Sequence, residues 1–332
     1  MKRFFVIGLH VGLVVIVIGA FLTFFTGESG ELHLREGESA EEFELYDGAS
    51  AGLPFGLRLD SFSIDNYPGS EMPRDYISEV TVLPGGEKRT ISMNHILKWK
   101  GYRFYQADYD EDLSGSILAV SHDPLGVTTV YIGYFIVLVC LLAYYFQKGT
   151  YFRTVCSRVP GIPRRGKQAL AAGGFLLLLL FFFLIARRLL FKPLMPVIRS
   201  PLLWVHVLSM IISYTVFGLL AVNGIVGLCW KRHSGLLRDF GLLVLYPAIF
   251  VFMFGIIVGS VWANISWGTY WGWDPKETWS LITLLVYSCA FYGHRFLRKG
   301  WAFHVFAIIA FLFVLVTYFG VNYFLGGLHS YA

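Results

Sequence analysis

Charged residues are few in this chain and cysteine pairs are missing from it. Only 15% of the 332 residues are Asp, Glu, Lys or Arg, and 19 of the 22 acidic ones fall within 26–127, against eight basic ones there. Elsewhere the acidic side chains are only Asp239, Asp274 and Glu277. The net charge of +5 therefore conceals a negative segment between positive connections. That distribution argues against a nucleic-acid partner, which needs Lys and Arg gathered on one face. The four cysteines, Cys140, Cys156, Cys229 and Cys289, form no C-x-x-C pair, and none lies within 26–127. Thiol-exchange chemistry is excluded, and cysteine as a small apolar residue accounts for them.

What the chain has is apolar length. Hydrophobic residues make up 56% of it and the mean hydropathy is +0.60, values of a polytopic membrane protein. Seven runs approach the ~20 residues that ~30 Å of hydrocarbon demands: 4–25, 128–147, 169–186, 204–230, 241–261, 280–297 and 302–324. The first is longer than a signal-peptide core and no small-x-small site follows it, so it reads as a retained anchor. Lys and Arg fill the connections that are cytoplasmic if the N-terminus is cytoplasmic. Arg187, Arg188, Lys192 and Arg199 run against that trend. Seven spans place the C-terminus outside. Within 26–127, alternation in YISEVTV and RTISM around Pro84-Gly85-Gly86, then YRFYQADY and SILAVSH, predicts hairpins. The expected fold is thus a polytopic α-helical membrane protein of about seven spans, with a small external β domain between the first two.

Between two of these runs lies WGTYWGWDPKETW, Trp267 to Trp279. Five aromatics share it with Gly268, Gly272 and Pro275, which argue against a regular helix through its middle. An aromatic belt at the lipid boundary is one reading. A platform for a flat aromatic ligand is the other, because Asp274, Lys276 and Glu277 exceed what anchoring requires. Asp274 fits a ligand contact, or instead a bond to an indole N–H or a backbone turn, equally well. Histidine positions add to this. His10 and His294 fall at one depth, each ~9 Å from the inner face by helix rise. They suit either a paired ligand set or separate bonds to neighbouring helices, and His304 lies near the same level.

WGTYWGWDPKETWSLIT resembles the tryptophan-rich "WWD" signature of the CcsA/CcmC/CcmF family of haem-handling proteins, and GVNYFLGGLHSYA resembles its CcsA branch. HVGLVVIVIGA, NHILKWKGYRFYQADYD and HDPLGVTTVYIGY are similar to the final part of CcsB (ResB). The order is that of fused CcsBA cytochrome c biogenesis proteins, here in a shortened form. The resemblance implies a CcsB/ResB-like part at 1–147, a basic cytoplasmic linker at 148–168, and a CcsA-like part at 169–332 whose external Trp-rich segment is 262–279. It implies haem b as the cofactor, with axial ligands His10 and His294 at an inner site and His206 and His329 at an outer one. Trp267, Trp271, Trp273 and Asp274 would line the outer site. Implied partners are an apocytochrome c bearing C-x-x-C-H, a thiol-reducing system that keeps it reduced, membrane lipid, and a further CcsB-type subunit. Implied activity is of holocytochrome c synthase (haem lyase) type in a bacterial inner membrane, with no catalytic residue apart from those that position haem. A CcmC-like haem delivery protein and a structural membrane protein that binds no haem are the alternatives.

Overall fold

The computed structural model describes residues 4–147, 149–158, 200–292 and 296–325. The chain enters on α1 (Phe4–Thr26) and returns, after a β domain, on α2 (Pro124–Phe146). These two helices lie antiparallel and unusually close, because glycines face the contact. A Cβ on Gly12 would fall 2.7 Å from Val137 Cγ2, and one on Gly133 would fall 2.6 Å from Ile16 Cγ1 and 3.0 Å from the Gly12 carbonyl. Between apolar helices in lipid no hydrophobic gain is available, so close backbone approach is what holds such a pair. Asp123 caps α2, its carboxylate accepting from Gly126 N at 2.8 Å.

The eight strands between them are β1 (Glu28–Arg35), β2 (Ser39–Leu45), β3 (Ser50–Asn66), β4 (Pro73–Leu83), β5 (Glu87–Ser92), β6 (Leu97–Trp99), β7 (Tyr102–Tyr109) and β8 (Gly115–His122). They form one antiparallel sheet in the order β5-β4-β3-β2-β1-β8-β7-β6. The sheet curls until β5 meets β6 and β7, enclosing Leu34, Leu57, Leu59, Val80, Ile91, Phe104 and Leu118. The expected hairpins are both present, β4 with β5 and β7 with β8. On the sheet surface Asp60 accepts from the Thr81 hydroxyl at 2.5 Å and pairs with Arg58 at 2.9 Å. The Thr81 bond, then the Arg58 guanidinium, hold its carboxyl below the usual range.

The remaining helices are α3 (Tyr151–Arg158), α4 (Pro201–Cys229), α5 (Ser234–Trp267), α6 (Pro275–Tyr292) and α7 (Gly300–Leu315), the last continued by a π-helical stretch, Val316–Leu325. Their core is aromatic. Phe217 of α4 stacks on Tyr287 of α6 at 3.8 Å, and Phe252, Tyr246 and Phe303 are fully buried around them. Among the described residues five helical stretches, α1, α2, α4, α5 and α7 with its continuation, are long and apolar enough to cross a membrane. This is an integral membrane protein with a β domain. The expected run 169–186 and the basic segment from Arg187 to Arg199 lie outside the described residues. Helix α6 covers 280–292 of the expected run 280–297, starts earlier and is not among those five, while 241–261 lies within α5, which is longer at both ends.

Candidate functional site

As its glycine and proline content predicts, the tryptophan segment carries no regular helix through its middle. Helix α5 continues through Trp267 and ends where Gly268 turns left-handed, at φ +86°, a conformation that costs glycine little. Helix α6 starts again at Pro275, because proline at the first helical position sacrifices no hydrogen bond. Asp274 Oδ1 accepts from Lys276 N at 2.8 Å, and Glu277 Oε2 reaches back to Asp274 N at 3.3 Å and Gly272 N at 2.9 Å. This is a reciprocal helix cap, legible in D-P-K-E. Asp274 therefore holds a backbone turn, one of its expected roles. The irregular stretch is 268–274.

Beneath it, between α4, α5, α6 and the π-helical stretch, lies a cavity of about 300 Å³. Its walls include His206, Trp262, Trp271, Tyr214, Lys276 and Tyr318, with Leu203, Met210 and Ile256 completing the apolar surface. His206 sits within the first two turns of α4. Its Nδ1 lies 2.7 Å from the Gly255 carbonyl, so Nδ1 carries the proton and Nε2 the lone pair. A backbone carbonyl that fixes the tautomer and the ring plane is the usual support of a metal-ligating imidazole. Gly259 admits the ring, since a Cβ there would collide with it.

Of the other expected site residues that the structure describes, only Trp271 lines this cavity. Trp271 is in its wall; Trp267 stands behind, edge-to-face with Trp262 at 4.7 Å. Trp273 is 71% exposed, with φ +55°, and meets Trp271 edge-to-face at 6.1 Å. Neither Trp267, Trp273 nor Asp274 is among the lining residues. His329 and His294 lie outside the described residues, so each expected histidine pair has one described member. His10 is on the exposed side of α1, its Nδ1 2.7 Å from the Val6 carbonyl, beside a shallow hollow lined by Val6, Ile7, Val11, Val14 and Val15. His304 is fully buried against Gly227 where α7 packs on α4, with Nε2 3.1 Å from Ser234 Oγ. Trp262, Tyr214 and Tyr318 were not singled out from the sequence. A signal existed: Leu203, His206, Val207, Met210, Ile211 and Tyr214 follow one helical stripe.

These features define an integral membrane protein with a histidine- and tryptophan-lined cavity between its helices. The chain belongs to the family described as Cytochrome C assembly protein, whose model matches residues 135–329, and a second family model, ResB-like, matches residues 1–123. It thus joins a ResB-like part to a CcsA-like part. Cytochrome c biogenesis protein CcsA of Chlamydomonas reinhardtii is 42% identical over 154 residues, covering 42% of this chain and 43% of that protein. Protein NrfI of Wolinella succinogenes is 38% identical over 153 residues, covering 42% of this chain and 17% of that protein. CcsA of Guillardia theta is 35% identical over 175 residues, 42% of this chain and 56% of that protein. The chain therefore spans less than two thirds of the length of each.

Proposed function

We propose that the chain carries haem b through the membrane and presents it to an apocytochrome c for thioether attachment. The observation that carries this reading is His206, whose Nδ1 is held by the Gly255 carbonyl so that Nε2 is the nitrogen that would ligate, in a cavity whose wall includes Trp262 and Trp271. His206 and His329 hold the iron at the outer site; His10 and His294 do so at the inner one. When bound, haem would supply an iron that two imidazoles could shield from dioxygen, and two vinyl groups that accept thiols. The protein's own contribution is placement: the indoles exclude water and hold the ring plane, and the gain is one of proximity. Trp273, exposed at the rim, meets the incoming C-x-x-C-H polypeptide, whose thiols a separate reducing system keeps reduced. The topology in this reading has seven spans, the N-terminus in the cytoplasm of a bacterial cell and residues 26–127 outside. Parts 1–147 and 169–332 act as the CcsB-like and CcsA-like halves, with room for a further CcsB-type subunit.

An absorption spectrum tests it. Protein purified from haem-replete cells is expected to show a Soret band, weakened in His206→Gly, and cells carrying that variant are expected to lose maturation of a co-expressed cytochrome c, with part regained on adding imidazole. A colourless wild-type protein, or full maturation by His206→Gly without imidazole, would refute the proposal.

A further inference from the structure

Two chains of buried polar contacts cross from the first half of the molecule to the ends of the tryptophan segment. The first centres on Asn264, 3% exposed in the last turn of α5. With its amide turned to meet its donors, the oxygen accepts from Arg103 of β7 at 3.1 Å and from the Tyr131 hydroxyl of α2 at 2.7 Å, while the nitrogen donates to the Gly268 carbonyl at 3.1 Å. Tyr105 of β7 adds a bond from its hydroxyl to the Asn264 carbonyl at 3.0 Å, and its ring lies 3.0 Å from where a Gly268 Cβ would sit. The second chain centres on Tyr270. Its hydroxyl meets Thr23 of α1 at 2.9 Å, and Thr23 donates to Asp123 at 2.6 Å. The Tyr270 carbonyl accepts from Ser260 at 2.7 Å, and Ser260 in turn meets the Tyr134 hydroxyl of α2 at 2.7 Å. Tyr270 also packs on Val127 and Val130, with Trp271 against the same cluster.

These contacts bracket the cavity wall. Trp262 is two residues before Asn264, Trp271 is one after Tyr270, and Ser260 is itself in the wall. We infer that Asn264 and Tyr270 are positioning residues through which the β domain and the α1–α2 pair fix Trp262 and Trp271 across the cavity. The halves are not merely adjacent: the ResB-like half sets the shape of the CcsA-like site. Buried groups left unsatisfied are costly, so the wall follows β7 and α2 rather than moving independently. The inference rests on the haem reading only for one of its two probes.

The test uses the full-length protein in detergent. Arg103→Leu, Asn264→Leu and Tyr270→Phe are each expected to raise hydrogen exchange in the 262–274 peptides and to weaken added haem about tenfold, with a displaced Soret maximum. Arg103→Leu combined with Asn264→Leu should be no worse than Asn264→Leu alone, since both cut one connection. Asn264→Asp should recover binding only in part relative to Asn264→Leu, because a carboxylate still accepts from Arg103 and Tyr131 but cannot donate to the Gly268 carbonyl. Arg103→Leu carries the test if Asn264→Leu fails to fold. Unchanged exchange over 262–274 in the variants overturns the inference, as does unchanged haem affinity and spectrum where the wild type binds. A wild type that binds no haem sinks the functional reading instead, and the exchange measurement then decides this one alone.

Discussion

In the α1–α2 pair the residues at the contact are the smallest available, whereas in the bundle of α4 to α7 they are among the largest. Gly8, Gly12, Gly19 and Gly133 let backbones touch; Phe217, Tyr246, Phe252, Tyr287 and Phe303 fill space between backbones. The first device gives a stiff two-helix post that carries the β domain and buries little of α1. The second gives a thick wall around a cavity. At one end of α2 the post joins the bundle through Leu141, Tyr144 and Tyr145, which pack into its aromatic core; at the other end the polar chains at Asn264 and Tyr270 add to the fixing of their relative position.

The contrast can be broken from either side, by opposite changes in volume. Phe217→Ala removes a fully buried ring from the bundle and should cost about 3–5 kcal/mol, read as a large drop in the thermal unfolding temperature in detergent. Gly133→Val adds atoms to the post where backbone stands in the way, the Ile16 nitrogen at 2.9 Å and the Gly12 carbonyl at 3.0 Å. It should cost about 1–3 kcal/mol and separate α1 from α2 in a cysteine cross-linking assay. Gly8→Ala sharpens the point, since its Cβ meets the movable end of Cys140 at 2.5 Å; a loss below about 1.5 kcal/mol is expected by the same assay. The β domain supplies the smallest effect, in which neither packing device is touched. Thr81→Val removes the main cause of the lowered Asp60 carboxyl and should cost about 1 kcal/mol at neutral pH. Because that carboxyl sits below its ordinary value of ~3.9, its contribution is present above that value and disappears as pH falls through the lower folded one. The gap between variant and wild type should therefore close in acid, measured by unfolding of the β domain at pH 7 and near pH 2.

The parts of the fold that were legible in the sequence are those governed by local periodicity. Apolar length announced α1, α2, α4 and α7, and alternation around Pro84-Gly85-Gly86 announced β4 and β5. Element ends were harder. Helix α6 begins five residues before the apolar run because Asp274 and Glu277 cap it, and polar cap residues do not register in a hydropathy scan. At the cavity, His206 and Trp271 stood out as rare residues in apolar surroundings. The supports did not: Gly255 is an ordinary membrane glycine 49 residues from His206, and Asn264 meets Arg103 across 161 positions. Such partners are fixed by tertiary packing and leave no local pattern.

The length of α5 has a consequence for where a guest would enter. Its 34 residues reach about 51 Å at 1.5 Å per residue, well beyond ~30 Å of hydrocarbon. The Arg238–Asp239 ion pair marks one boundary. For an upright helix counted from Phe240, the oily layer is used up after ~20 residues, near Gly259. Trp262 to Trp267 then lie level with the lipid headgroups yet enclosed by protein, so a flat guest would reach the cavity at the edge of the oily layer and not through its middle.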